Sequence, residues 1–163
     1  MELLPFDEYA RSLNRKQIAA GTLIRDDADR VLVVEPSYKD HWEIPGGACE
    51  AGETPWRTAR REQAEELGLD RPLGPLLVID HVPENGPMPE ALAFVFDGGF
   101  LTEDEVRHLR LTDPEIRSVH LLPIDEAAAR VNPGLGRRLR VALAAARAGA
   151  TVVFCEGGQP VVS

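Results

Sequence analysis

Three glutamates lie close together in the middle of the chain, at positions 62, 65 and 66. If this stretch is helical, their spacing places the three carboxylates on one face, one turn apart. Like charges so placed repel by roughly 0.2–0.5 kcal/mol per pair, and a divalent cation reverses that term because Mg²⁺ binds carboxylate and water oxygens. The glutamates alone therefore indicate either a metal site or a solvated acidic face offset by neighbouring arginines.

The residues on either side predict the helix. Thr54 is a good N-cap, Pro55 fits the first helical position and Gly68 fits the C-terminal stop. These signals bracket a helix from Pro55 to Leu67. Ahead of it, Gly46-Gly47 permits a backbone turn that can come close to a ligand.

Taken with these flanks, the glutamates belong to a longer pattern over residues 47–69. Its fixed positions are Gly47, Glu53, Arg61, Glu62, Glu65, Glu66, Gly68 and Leu69. The pattern resembles the Nudix box, and Trp42-Glu43-Ile44-Pro45-Gly46-Gly47 resembles a lead-in common in MutT-type members. So many fixed positions are far more specific than a lone glycine motif. Gln63 departs from it: the family has an aliphatic residue there, and a buried amide needs hydrogen-bond partners.

The resemblance implies an enzyme that hydrolyses a nucleoside diphosphate linked to another moiety, with Mg²⁺, or Mn²⁺ in its place, as cofactor. It implies as metal ligands the three helix carboxylates and a carbonyl of the glycine turn: Glu62, Glu65, Glu66, and Gly46 or Gly47. Such ions hold the attacking and leaving oxygens and lower the pKa of bound water.

The same resemblance assigns the catalytic carboxylates. Glu53 is expected to pair with Arg61, which orients it near the metal cluster. The general base is expected to be a glutamate, with Glu65 the first choice. In other members a glutamate of a later loop serves, and Glu115 occupies a similar place ahead of a predicted strand. An ordinary surface carboxylate is the alternative reading of Glu115.

Three other interpretations stay open beside hydrolysis of a nucleotide or nucleotide sugar. A non-catalytic nucleotide sensor would usually lose carboxylates that are intact here. Isopentenyl-diphosphate isomerase, which shares the fold, needs a cysteine ahead of the box, and none precedes Cys49. ADP-ribose-cleaving members often have a proline near the position of Asn85, which Pro83 and Pro87 flank without matching.

Trp42 or Tyr38 could stack a base or simply pack.

The composition sets the broad class. With 163 residues, 44% of them hydrophobic, the chain is expected to form one domain over 1–163. A net charge of -9 argues against a nucleic-acid partner, because such binding needs basic surface. No apolar run is long enough to span a membrane, and the N-terminus does not resemble a signal peptide. Cys49 and Cys155 are read as reduced thiols, which favours the cytoplasm, and the family resemblance allows a homodimer.

Strand and helix signals alternate along the chain, which predicts an α/β (α+β) class. The resemblance implies a Nudix-type α/β/α sandwich with a mixed sheet. The four histidines show no metal-ligand spacing and are read as surface or loop residues. Beside the box helix, the expected elements are strands at 17–25, 30–35, 76–81, 91–97 and 116–122, short helices at 102–109 and 125–131, and a C-terminal helix and hairpin over about 133–163. The two strands of that hairpin are expected at 151–155 and 160–162. The proline-rich segment 83–89 is expected to be a substrate-facing loop.

Overall fold

A mixed sheet lies between two helical layers in the computed structural model, which describes residues 3–150 and 152–162. Within those residues, eight strands and five helices follow one another in the order α1 (Phe6–Ser12), β1 (Gln17–Arg25), β2 (Val31–Pro36), β3 (Gly46–Ala48), α2 (Pro55–Leu67), β4 (Leu76–Val82), β5 (Ala91–Phe100), α3 (Glu103–Arg107), β6 (Ile116–Leu122), α4 (Ile124–Arg130), α5 (Pro133–Ala148), β7 (Val153–Glu156) and β8 (Gln159–Pro160).

The strand order is β6-β2-β1-β5-β4-β7-β8, with β3 paired to β1. The β1/β5 and β4/β7 pairs are parallel and the others antiparallel, so the sheet is mixed, as expected. β1 pairs with β2 only where Arg25 faces Val31. Along Ala19–Gly21 it pairs instead with β3 on that edge and with β5 on the other. The glycine turn is therefore fixed to the central strand of the sheet.

Alternation along the strands divides the core between the two faces. Val31 and Val33 pack into one cluster with α4 and α5, whereas Leu32 and Val34 pack into another with α2. A strand points successive side chains to opposite faces, so β2 must be covered on both sides. The helical layers supply that cover, and the predicted fold class is confirmed.

Helix α2 begins and ends where its sequence predicts. The Thr54 side chain accepts a hydrogen bond from the Arg57 backbone N–H at 3.4 Å, and Pro55 is the first helical residue. Gly68 adopts the left-handed conformation, with φ of 69°, and its N–H returns to the Ala64 carbonyl. These local caps hold the glutamate-bearing helix in a fixed frame beside β1 and β3.

Several boundaries and one element differ from expectation. Helix α1 was not anticipated, because none of its residues is buried and it gives no core periodicity. The second strand of the C-terminal hairpin covers 159–160 rather than 160–162, and Thr151, predicted to start the first, lies outside the described residues. His81 and His120, read as surface or loop residues, lie in strands β4 and β6 rather than in loops, and they are only partly exposed because strand alternation turns them partly inward. No helix in the described ranges is long and apolar enough to cross a membrane.

Candidate active site

Glu53, just before α2, and Arg61, in the middle of α2, form a paired carboxylate and guanidinium. Arg61 Nε lies 2.8 Å from Glu53 Oε1 and its Nη2 lies 3.1 Å from Oε2. The Thr58 hydroxyl and the Glu50 backbone N–H also donate to Oε2, at 2.6 and 3.1 Å. The hydrogen bonds from Arg61, then those from Thr58 and Glu50, lower the pKa of Glu53 to about 2. This carboxylate is thus ionised and held in one orientation at neutral pH.

Arg61 also reaches the next two glutamates along the helix. Its Nη1 lies 3.0 Å from Glu62 Oε1 and 3.0 Å from Glu65 Oε2. The hydrogen bond to Glu53 is the largest cause of the raised pKa of Arg61, with Glu62 and Glu65 contributing further. One guanidinium therefore binds three carboxylates and offsets part of their mutual repulsion.

Glu66 lies deeper than the other two helix glutamates. It is buried, and its Oε2 accepts a hydrogen bond of 3.2 Å from the Gly46 backbone N–H. Burial, followed by the charge of Glu62, raises the pKa of Glu66 to about 8, and Asp113 and Glu43 add to the rise. Burial and, after it, the nearby carboxylates therefore both disfavour the ionised form of Glu66.

The two glycines of the turn leave room for this cluster. A β-carbon on residue 46 would lie 2.5 Å from the Ala20 carbonyl oxygen, so only glycine fits between the turn and β1. A β-carbon on residue 47 would overlap Oε1 of Glu62. The missing side chains thus seat the turn against the sheet and make space for a carboxylate.

The donor chemistry fits a divalent cation. Carboxylate and carbonyl oxygens are the ligands that Mg²⁺ prefers, and the raised pKa of Glu66 shows that further positive charge would stabilise its ionised form. Within residues 3–150 and 152–162, no three His, Cys, Asp or Glu side chains converge closely enough to hold a metal ion. Glu62 and Glu65 point instead to Arg61, which supplies their positive partner in this arrangement.

The structure separates two carboxylates near the later loop. Glu115 is exposed, and its backbone N–H donates to Asp113 Oδ1 at 2.9 Å. Asp113 is half-buried, and its charge helps to raise the pKa of Glu66. Sequence reasoning considered Glu115 but not Asp113 or Glu43, whose charges act on Glu66. Their only sequence signals were the neighbouring candidate Glu115 and the lead-in that contains Glu43.

The aromatic candidates lie in different surroundings. Trp42 stacks on His120 with ring centroids 4.9 Å apart, and the Arg130 guanidinium lies 4.7 Å from its ring centroid. It also packs against the core cluster under α5. Tyr38 is exposed beside Lys39. These contacts favour the packing interpretation of Trp42.

Gln63 is fully buried on the inner side of α2. Its Nε2 donates a hydrogen bond of 3.4 Å to the Leu69 carbonyl, and its Oε1 has no partner. The helix therefore stays seated at this position, and one amide oxygen is left unsatisfied. Cys49 and Cys155 form no disulfide with each other or with another described residue.

Comparisons with known proteins agree with this geometry. The family model described as NUDIX domain matches residues 15–141, which is most of the chain and includes the whole box. The chain therefore belongs to the NUDIX domain family.

Individual relatives match shorter stretches. Over 72 residues the chain is 40% identical to diphosphoinositol polyphosphate phosphohydrolase 2 of Rattus norvegicus. This match covers 44% of the present chain and 40% of the relative. Over 57 residues it is 42% identical to an 8-oxo-dGTP diphosphatase of Proteus vulgaris, covering 32% of this chain and 50% of the relative. The chain thus matches half or less of the length of these curated relatives.

The fold is also found in solved structures. The crystal structure of the MutT protein from Methanosarcina mazei Go1 matches with a TM-score of 0.65, covering 85% of this chain and 99% of that one. The sequences are 20% identical, so this likeness concerns the fold alone.

Proposed function

We propose that this protein hydrolyses a diphosphate bond in a nucleoside diphosphate derivative, such as a nucleoside triphosphate or a nucleotide sugar, with the help of Mg²⁺. The observation that carries the proposal is the buried carboxylate of Glu66, whose pKa is raised to about 8 beside Glu62. A buried carboxylate beside a second, half-buried one is unfavourable unless a cation reaches it, and the described contacts of Glu66 include none from a lysine or arginine. A divalent ion provides that charge and binds phosphate oxygens as well.

Glu62, Glu65, Glu66 and a carbonyl of the glycine turn, at Gly46 or Gly47, would hold the ion. When bound, it would neutralise the bridging phosphate oxygens and activate a water molecule. Members of this family act by attack of water on phosphorus, and the intact acidic face favours that class over a non-catalytic sensor.

The other residues would orient this assembly and accept a proton. Glu53, with a pKa of about 2, is a poor base at neutral pH, because an efficient base has a pKa near the working pH. Its two hydrogen bonds to Arg61 instead suit it to fix the start of α2. Glu65 is 53% exposed, so its side chain has room to leave Arg61 and turn toward an attacking water, and it stays our first choice as general base. Asp113 and Glu115 are the alternatives.

We favour a nucleotide as substrate over a diphosphoinositol polyphosphate, the compound that appears in the name of one relative. A polyphosphorylated ring carries many charges and needs several cations, whereas a nucleobase needs none. The two lysines of the chain, Lys16 and Lys39, are paired with Glu90 and Glu43, and ten of its sixteen arginines also lie within ion-pair distance of a described carboxylate. The net charge of -9 also opposes a ligand with many phosphates.

The proposal is tested by a product-mass screen of nucleoside triphosphates, ADP-ribose, dinucleoside polyphosphates, NADH and diphosphoinositol polyphosphates, with and without Mg²⁺ or Mn²⁺. We expect metal-dependent cleavage of a nucleotide, and Glu66→Gln should lower kcat by about 10² or more. Glu126→Gln, an exposed glutamate on α4, is the matched control and should keep full activity. Metal-independent turnover, or turnover of none of these compounds, would reject the proposed function.

A cytoplasmic location, the absence of a nucleic-acid partner, a single domain and a homodimer remain predictions from the sequence. ADP-ribose pyrophosphatase activity is the specific alternative that the same screen resolves.

A further inference from the structure

Glu90 joins three side chains at the base of the loop between β4 and β5. The Asn14 side-chain amide donates to its Oε1 at 2.7 Å, and Lys16 Nζ forms an ion pair with the same oxygen. The Nε2 atom of His81 lies 3.2 Å from its Oε2. These bonds from Lys16, Asn14 and His81 lower the pKa of Glu90 to about 2, so the carboxylate is ionised throughout the neutral range.

The three partners come from two directions. Asn14 and Lys16 lie just before β1, and His81 lies near the end of β4, whereas Glu90 immediately precedes β5. Glu90 thus joins both ends of the loop to each other and to the start of the central strand. We use the name Glu90 clamp for Asn14, Lys16, His81 and Glu90.

The Glu90 clamp lies at the end of β1 from which the box loop also leaves. The Gln17 backbone N–H donates to the Glu90 carbonyl at 3.1 Å, and the Cys49 N–H donates to the Ile18 carbonyl at 2.9 Å. β3 and β5 border β1 on opposite edges, so their separation is two strand spacings, or roughly 10 Å. The loop before β5 and the loop before α2 therefore stand at the same end of the sheet.

Strand alternation places the Glu90 clamp on the same face as α2. Phe94 and Phe96 pack with Ala59 of α2, and Glu90 is in phase with them because strand side chains repeat every second residue. His81 pairs with Leu92, which shares that phase. The clamp and the carboxylate helix thus border one surface.

The loop itself, residues 83–89, suits a ligand that is apolar and not anionic, since its one charged residue is the exposed Glu84. It contains three prolines, an exposed methionine at 88 and no lysine or arginine. Its tip is a two-residue turn in which Asn85 and Met88 exchange backbone hydrogen bonds of 3.0 Å. Gly86 takes the left-handed conformation there, with φ of 55°. A short turn with prolines has few alternative conformations, so its position depends on its base.

We propose that Glu90 is a positioning residue that holds the 83–89 loop against the nucleoside part of the substrate, which makes this loop determine base preference. The inference rests on the proposed function for its substrate. The diphosphate lies at α2 and the base lies across the end of β1, under the loop.

The decisive experiment compares a nucleoside triphosphate with ribose 5-triphosphate, which lacks the base. Glu90→Gln keeps the size of the side chain but weakens its ion pair, and we expect it to raise KM for the nucleotide about tenfold, as loss of a charged hydrogen bond would. It should leave kcat within about twofold and leave KM for ribose 5-triphosphate unchanged. Glu126→Gln is the matched control and should change neither constant. An equal rise in KM on both substrates, or no rise on the nucleotide, would overturn the proposal.

A second variant separates the Glu90 clamp from a general loss of stability. Lys16→Met removes the cation, and the Lys16→Met/Glu90→Gln double variant should raise KM no further than the worse single variant, because both act through one contact. Additive effects would count against the clamp.

Hydrogen exchange distinguishes failure of this inference from failure of the proposed function. Amides of residues 82–90 should exchange faster in Glu90→Gln than in wild type, whatever the activity. Unchanged exchange of these amides in Glu90→Gln would refute the role assigned to Glu90. In wild type, a nucleoside α,β-methylene triphosphate with Mg²⁺ should slow exchange both in α2 and in the loop. Slower exchange in α2 alone would refute the role assigned to the loop, whereas unchanged exchange in both would reject the proposed function.

Discussion

Oε1 of Glu62 occupies the space that a β-carbon on residue 47 would fill. The glycine turn and the acidic helix α2 can thus pack closely only because residue 47 has no side chain. Because the obstacle is the end of a flexible side chain, Gly47→Ala should displace the carboxylate and leave the fold intact. We expect kcat to fall by about 10–100-fold, since a misplacement of about 1 Å can cost that much.

Steady-state kinetics and thermal unfolding of Gly47→Ala check this prediction together. The neighbouring variant Ala48→Ser, at an exposed position, is the control and should behave as wild type. If Gly47→Ala kept full activity, the position of Glu62 would not matter for turnover.

Glu66 predicts a pH dependence of stability in the metal-free protein. Its pKa rises from the ordinary 4.5 to about 8 on folding, so the folded state binds the proton more tightly. Protonation of Glu66 therefore contributes fully to the free energy of unfolding below pH 4.5, and this contribution is lost as the pH rises toward 8. Over that range the free energy of unfolding should fall by at most about 1.4 kcal/mol per pH unit. Urea unfolding at several pH values should show this decline in wild type and a flatter profile in Glu66→Gln.

Mg²⁺ should reverse that decline. At pH 8, added Mg²⁺ is expected to raise Tm in wild type, because a ligand that binds only the folded state stabilises it. The shift should be much smaller in Glu66→Gln, and NaCl at equal ionic strength controls for screening. Equal shifts in both proteins would show that Mg²⁺ binds elsewhere.

Asp113 and Glu115 can be distinguished by paired substitutions. Asp113→Asn keeps an oxygen that accepts the hydrogen bond from the Glu115 N–H, but it removes the negative charge that helps to raise the pKa of Glu66. We expect this variant to lower kcat about tenfold or more. Glu115→Gln, at the exposed position, should stay within about twofold. If the order of the two effects were reversed, Glu115 would be the later carboxylate, as the family resemblance implies.

Gln63 should be a site where stability can be gained. Its Oε1 is buried without a partner, and such a group costs about 1–3 kcal/mol. Gln63→Leu restores an apolar side chain of similar length and should raise the free energy of unfolding by about 1 kcal/mol, measured in urea. The exposed Gln159→Leu serves as control. A loss of stability in Gln63→Leu would mean that its amide is better paired in solution than these contacts suggest.

The elements that sequence predicted well are those with local signals. Helix α2 was predicted at its observed bounds because Thr54, Pro55 and Gly68 act on their own neighbours. The pair of Glu53 and Arg61 came from a family pattern within one loop and one helix. Such features need no knowledge of the rest of the chain.

What the sequence missed depends on contacts between distant segments. Asp113 and Glu43 influence Glu66 only because β2 and the segment before β6 bring them near α2. The divided pairing of β1 likewise has no local signal, since β3 is three residues long. Helix α1 could not be inferred from a core pattern, because it buries no residue.

The loop before β5 and the loop before α2 are both anchored to one strand, since β1 is bonded to β3 and β5 along the same three residues. The distance between the two loops at their base is therefore set by the hydrogen-bonded strands and does not depend on the length of either loop. Insertions between positions 83 and 89 would extend the reach of that loop without moving its anchor. A change in the length of this loop would thus alter the size of ligand that the protein accepts without moving the acidic helix α2.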